Sequence, residues 1–365
     1  MPVAHISGSA AGERVLESAQ YISQHSKDVF VPEEGVRRAA QEIVERMQSV
    51  GYSTAEWRKH TLNPSVADSA AIEWIFVVDA LNFSFWTDKS GSPHKQYTVT
   101  LDGHAYRGYW TLCAAINRAE REGVPMTDPA FYSRMSLDDL AHVFRADDPA
   151  IQEPIPLLAR RLQVLHEIGR VLQDKYSGRF ANAVELCRGS AQRLVELVVR
   201  DFPCFRDEHR YGGRAVQLYK RAQILVADIW ACFEGKASGW FYDIDQITMF
   251  ADYRVPQALC HFGALSYSPR LADFLRRSER AVALHGEAAV AACPPEAGLL
   301  PSGHEWEVEI RGNSIWAVER IRQHILASGA HVNAILIDFY LWDYAKEHPE
   351  SMRSVPIHLT RSIFY

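Results

Sequence analysis

The chain has 365 residues, a formal net charge of −6, 47% apolar and 23% charged side chains. That balance is normal for a soluble globular protein, leaves enough apolar surface for a sizeable core, and lacks the basic footprint of a protein that grips long nucleic acid. No stretch approaches the ~20 apolar residues of a membrane span, and "MPVAHISGSAAGERVLES" lacks the apolar core of a secretory signal, so a soluble, cytoplasmic protein with no membrane partner is expected.

The first strong pattern is "GVRRAAQEIVERMQSV" (35–50), which sets Val36, Ala40, Ile43, Val44 and Met47 on one helical face behind the acidic "VPEEG". Next, "AAIEWIFVVDALNFSFW" (70–86) is almost continuously apolar with Glu73, Asp79 and Asn82 embedded in it; a buried helix and a buried strand both fit. Alternation through Tyr97, Val99 and Leu101, followed by Asp102-Gly103, predicts a β-hairpin over 96–107. A helix over 109–123 closes at Gly123, and "SLDDLAHVF" (136–144) has Ser136 as N-cap with Asp139 three residues on, close to a capping box.

Two helices are expected between 155 and 200, then a polar connection "PCFRDEHRYGGR" (203–214) and a helix "AVQLYKRAQILVADIWACFEG" (215–235). In "FADYRVPQALCHFG" (250–263) Pro256 suits the first turn of a helix, which leaves Asp252 at the helix start. A helix near 269–284, the loop "CPPEAGLLPSGHE" (293–305) and two closing helices over 306–326 and 332–348 follow. The predicted architecture is mainly α, a single large domain over 1–365 with a small β-hairpin insert. The pattern loosens near 123–155, where a seam between two lobes would fall.

The six cysteines lie singly, without C-x-x-C or zinc spacing, and the fifteen histidines form no H-x-x-x-H or H-E-x-x-H pattern. Reduced thiols are expected, with neither metal nor cofactor.

Five segments carry charges or amides where the pattern predicts core: Asp79 and Asn82; Lys220 and Asp228; Asp252 and Arg254; Glu307, Glu309 and Arg311; Asp338 and Asp343. Burying a lone charge is expensive, so each such group is expected to be paired or hydrogen-bonded. Aromatic residues flank many of them, and acids beside ring faces suit a pocket for a flat polar ring. On a helix, Lys220 and Asp228 fall within about 80° of each other, two turns apart, and can line one groove. Glu307 and Arg311, at i and i+4, read as a simple surface pair.

Taken together, "LNFSFW" (81–86), "YKRAQILVADIW" (219–230), "FADYRVPQ" (250–257), "EVEIRG" (307–312) and "DFYLWDYAK" (338–346) resemble the queuosine salvage proteins, the queuosine 5′-phosphate N-glycosylase/hydrolase family. The resemblance spans about residue 60 to the end of the chain. It implies a DNA glycosylase-like helical fold, in which a lysine on one helix and an aspartate at the start of a later one form the catalytic pair; Lys220 and Asp252 hold the comparable places. Their spacing of 32 residues is longer than usual there, and no four-cysteine iron–sulfur loop exists. The acidic balance fits a free nucleotide better than a duplex.

The activity implied is hydrolysis of the N-glycosidic bond of queuosine 5′-monophosphate, releasing queuine and ribose 5-phosphate. A carboxylate at 252 would stabilise an oxocarbenium-like C1′ and take a proton from the attacking water. Asp228 or Asp338 would hold the guanine-like N–H edge, with Phe83, Trp86, Tyr253 and Trp342 as stacking candidates and His60 as a further pocket residue. Lys220 has three readings: a phosphate ligand, a partner that keeps Asp252 ionised, or a Schiff-base nucleophile. Arg206, Arg210 and Arg254 are further phosphate candidates. Two alternatives stand beside this: a DNA or RNA base glycosylase, which needs a basic face and salt-dependent binding, and a non-catalytic modified-nucleoside binding module.

Overall fold

A computed structural model describes residues 11–86, 97–148, 155–291 and 298–365. The chain opens with α1 (Ala11–His25), β1 (Val29–Phe30), α2 (Glu33–Val50), α3 (Ala55–Lys59) and α4 (Ser69–Ala80). The hairpin β2 (Val99–Leu101) and β3 (His104–Tyr106) leads into α5 (Tyr109–Arg121), α6 (Pro129–Tyr132), α7 (Leu137–Val143), α8 (Leu158–Tyr176), α9 (Phe180–Leu186) and α10 (Ala191–Asp201). A second hairpin, β4 (Glu208–Tyr211) and β5 (Arg214–Gln217), precedes α11 (Lys220–Cys232) and α12 (Val255–His261). The remainder is β6 (Ser266–Tyr267), α13 (Pro269–His285), α14 (Glu287–Ala291), α15 (Glu305–Ala327), α16 (Ala334–Glu347) and α17 (Pro349–Met352). The fold is mainly α, with three two-stranded sheets among the described residues.

The ambiguous run at 70–86 resolves as helix. Asp68 caps α4 by accepting from the Ala71 N–H at 3.0 Å, and α5, α8, α9 and α11 surround it. A helix covered on all sides needs no polar stripe, which is why its sequence shows no helical period. Beyond Ala80 the chain leaves the helix, and two fully buried guanidiniums satisfy its carbonyls. Arg161 bonds Leu81 O and Phe83 O, and Arg221 bonds Ala80 O and Cys204 O.

The expected hairpin forms with Leu101 opposite His104, and Asp102 and Gly103 supply the positive φ values (52° and 78°) of its two-residue turn. Beyond helices it did not name, such as α1 and α3, the reading differs from the structure in three segments. The "polar connection" at 203–214 contains most of a second hairpin, turned on Gly212-Gly213 with Tyr211 opposite Arg214; its strands are short and largely polar, so no apolar alternation announced them. The helix expected from 215 starts at Lys220. Three helices, not two, occupy 155–201, because Ser177 and Gly178 take left-handed backbone (φ 52° and 73°) and Ser190 caps a fresh start. Helix α7 carries a complete Ser136/Asp139 capping box.

One cluster of buried side chains runs from Ala11 to Met352. At its centre α15 packs on α1, α2, α12 and α16, and α11 packs on α4 and α10. The stretch 123–155 carries α6 and α7, which pack on α8; its residues 149–154 lie outside the described ones. Among the described residues no helix is long and apolar enough to cross a membrane.

Candidate active site

A cavity of about 350 Å³ opens between segments far apart in sequence. The chain around α3 brings Trp57, Lys59 and His60; the stretch after α4 brings Asn82 and Phe85; the start of α5 brings Tyr109 and Trp110. Helix α11 lines it with Lys220, Ile224 and Asp228, one face at i, i+4 and i+8, and α16 does the same with Asp338, Trp342 and Lys346. Phe250, Asp252, Tyr253 and Arg254 come from the chain entering α12, and Tyr365 closes another side.

Asp252 is half-buried and open to this cavity. Its Oδ1 accepts from the backbone N–H groups of Arg254 and Val255, each at 2.8 Å, so the main chain at the start of α12 fixes the carboxylate. Burial pushes its pKa above the ordinary carboxylate value, while the Lys220 charge and the two N–H groups oppose the shift. Oδ2 is not used by these contacts.

Lys220 is the first residue of α11, and its own N–H donates to Asp207 Oδ2 at 3.2 Å. Its ammonium donates to Asn82 Oδ1 at 3.2 Å and to Asn82 O at 3.4 Å. Burial lowers its pKa, against the pull of the Asp252 and Asp79 carboxylates. Asn82 in turn donates to Asp79 Oδ1 at 3.2 Å, so Asp79, Asn82 and Lys220 form one chain of polar contacts beneath the cavity.

The other acids are held differently. Asp338 Oδ1 accepts from the Phe250 N–H at 2.9 Å, and burial together with the Asp252 charge raises its pKa well above normal. Burial and then the Asp79 charge do the same to Asp228, and burial raises Asp79 to about 7. Each shift favours the protonated carboxyl, which can donate as well as accept at a polar ring edge.

The aromatic walls are partly those expected and partly not. Trp342 meets Tyr109 and Trp110 edge-on at 6.2 and 6.0 Å between ring centroids, and His60 stacks flat on Trp110 at 3.3 Å. Burial lowers the His60 pKa, which favours a neutral ring. Tyr253 lines the cavity. Phe83 and Trp86 do not line it. Phe83 is fully buried against the Arg161 and Arg221 guanidiniums; Trp86 packs under Arg361 and donates to Thr360 O at 2.9 Å. Nor do Arg206 and Arg210, which bond backbone carbonyls of α10 and of the second hairpin. The surface pair expected for Glu307 and Arg311 does form, at 3.1 Å, but with neither side chain exposed.

Sequence reading missed Tyr109, Trp110, Lys346 and Tyr365. The eight-residue step from Asp338 through Trp342 to Lys346 was a usable signal for Lys346. Nothing local marked the aromatic pair at the head of α5, which reads as an ordinary helix start after a hairpin. Among the described residues no group of three His, Cys, Asp or Glu side chains is placed to hold a metal ion.

These features define a class: a helical protein with a concave pocket whose buried carboxyls, buried lysine and ring faces suit proton-transfer chemistry on a flat polar molecule. The profile of the queuosine salvage protein family matches residues 62–365. The queuosine 5′-phosphate N-glycosylase/hydrolase of Schizosaccharomyces pombe is 45% identical, with 96% of this chain and 99% of that protein aligned. Those of Mus musculus and Sphaerobacter thermophilus are 43% and 35% identical, each over 96% of this chain and 98% and 97% of theirs. The chain belongs to the queuosine salvage protein family, and all five motifs lie inside the matched region.

Proposed function

We propose that this chain hydrolyses the N-glycosidic bond of queuosine 5′-monophosphate, giving queuine and ribose 5-phosphate. The observation that carries the reading is Asp252: a carboxylate fixed by two backbone N–H groups, with its second oxygen free, at the wall of a cavity that Lys220 also lines. As the bond between C1′ and the base nitrogen breaks, its electron pair leaves with the base. The free Asp252 oxygen faces the positive charge left on C1′, then takes the proton of the water that bonds there. Lys220 keeps Asp252 ionised. The departing 7-deazaguanine has no N7 to protonate, so Asp228 and Asp338 hold its remaining polar edges and return a proton to it. Tyr253, His60 and Trp342 flank the ring and sugar. Arg254 and Lys346 take the 5′-phosphate: the Arg254 Nε is buried without a partner, and the Lys346 ammonium, 5.0 Å over the Trp342 ring, is brought down to about 8 by burial with Arg254 nearby.

A cavity of this size suits one nucleotide rather than a strand, and the net charge of −6 fits that choice. We place the protein in the cytoplasm, free of membrane and long nucleic acid. The test is release of free queuine from queuosine 5′-monophosphate, from queuosine and from modified tRNA in parallel. Release from the nucleotide is expected, reduced about 10²–10⁴-fold in Asp252→Asn. Release only from intact tRNA, or turnover unaltered in the variant, would falsify the reading.

A further inference from the structure

Asp252 and Lys220 stand on separate segments, and one side chain ties both to itself. Arg311, on α15, has no exposed surface. Its Nε donates to the carbonyl of Ala251, the residue before Asp252, at 2.9 Å. Its Nη1 and Nη2 donate to the two oxygens of Asp207 at 3.0 and 2.5 Å, and Asp207 receives the Lys220 backbone N–H. The planar fork thus spans the chain at 251 and the first turn of α11 at fixed separation, a geometry an ammonium on a flexible stem lacks.

The open face of that guanidinium is covered by the ring of Tyr365, 4.2 Å from it. Tyr365 belongs to a strap, residues 357–365, sewn to the stretch beyond α4. Ser84 N–H donates to Tyr365 O at 2.9 Å, Ser84 Oγ to Ser362 O at 2.8 Å, and Trp86 Nε1 to Thr360 O at 2.9 Å. That stretch begins at Asn82, the acceptor of the Lys220 ammonium. The strap therefore reaches Lys220 by two routes, through Arg311 and Asp207 to its backbone and through Ser84 to Asn82.

We propose that Arg311, roofed by Tyr365 of the 357–365 strap, is a positioning residue that sets Asp252 and Lys220 in register for the reaction. The proposal rests on the catalytic roles given to that pair above. A misplacement of about 1 Å is worth about a hundredfold in rate, so a loosened fork is read in kcat more than in KM.

The experiment uses the full chain and queuosine 5′-monophosphate. Tyr365→Leu should lower kcat about tenfold or more with KM changed less than about threefold, and Tyr365→Phe, which keeps the ring over the guanidinium, should restore the rate. In an Asp252→Asn background the same Tyr365→Leu change should have almost no further effect, since a group that acts only through Asp252 and Lys220 loses its effect when the pair is disabled. Because Tyr365 also lines the cavity, Trp86→Phe, which cuts one strap tether outside it, should show the same pattern in the same cycle, and it carries the test alone if Tyr365→Leu does not fold. A folded variant with unchanged kcat, or effects that multiply with Asp252→Asn, overturns the positioning role. Full turnover in Asp252→Asn alone overturns instead the reading beneath it.

Discussion

Asp79 has no exposed surface, and its Oδ2 lacks a hydrogen-bond partner. Burial raises its pKa from 3.8 to about 7. A carboxyl raised in the folded state stabilises the fold fully below its unfolded pKa, and that contribution is lost as pH rises through the folded value. The protein should therefore lose stability between about pH 4 and about pH 7 through this group. In Asp79→Asn, where the amide oxygen still accepts from Asn82, the fall should flatten and Tm at pH 8 should rise; thermal unfolding across that range in both proteins decides it. Asp79, Lys220, Asp228, Asp252 and Asp338 were legible in the sequence because a charge inside an apolar run has few explanations. Phe83 and Trp86 were not, because an aromatic residue in a motif looks the same whether it faces a ligand or a guanidinium. Only the tertiary structure brings Arg161, Arg221 and Arg361 against those rings.

Helix α2 approaches the end of α12 so closely that a Cβ on Gly35 would lie 1.7 Å from Gly263 O. Backbone stands on both sides, so no side chain can swing away. Gly35→Ala should destabilise the fold by about 1–3 kcal/mol or more, seen as a lower denaturant midpoint. Because Asp252 precedes α12, activity should fall further than the loss of folded protein explains; equal falls would separate the contact from the site. Long amphipathic helices, the Asp102-Gly103 hairpin and the capping box of α7 were readable from local chemistry. The second hairpin and the break between α8 and α9 were not, since strands of four mostly polar residues and a Ser-Gly pair inside a helical stretch give weak local signals.

No linear pattern reports that α3, α5, α11, α16 and the chain before α12 share one cavity, although several of its members can be named one by one. Four lysines or arginines line it, and Lys59 is already paired with Glu56 at 2.5 Å, while Lys220 is engaged by Asn82. Arg254 gives Nη1 to Gln257 Oε1 at 3.0 Å, so Lys346 and the remaining donors of Arg254 are left for an anion. Lys346→Gln should raise KM for queuosine 5′-monophosphate about tenfold or more, in line with the 1.5–3 kcal/mol of a charged hydrogen bond, and leave turnover of the unphosphorylated nucleoside nearly unchanged. Equal loss on both substrates would place the phosphate elsewhere.

The carboxylate at 252 is not symmetrical. One oxygen belongs to the amides of residues 254 and 255, so the direction in which the other points is decided by main-chain geometry and not by side-chain rotation. Sequence changes that spare every side chain of the pocket can still disarm it: Val255→Pro deletes one of those amide hydrogens, keeps the negative charge, and leaves its aim to the Arg254 N–H alone.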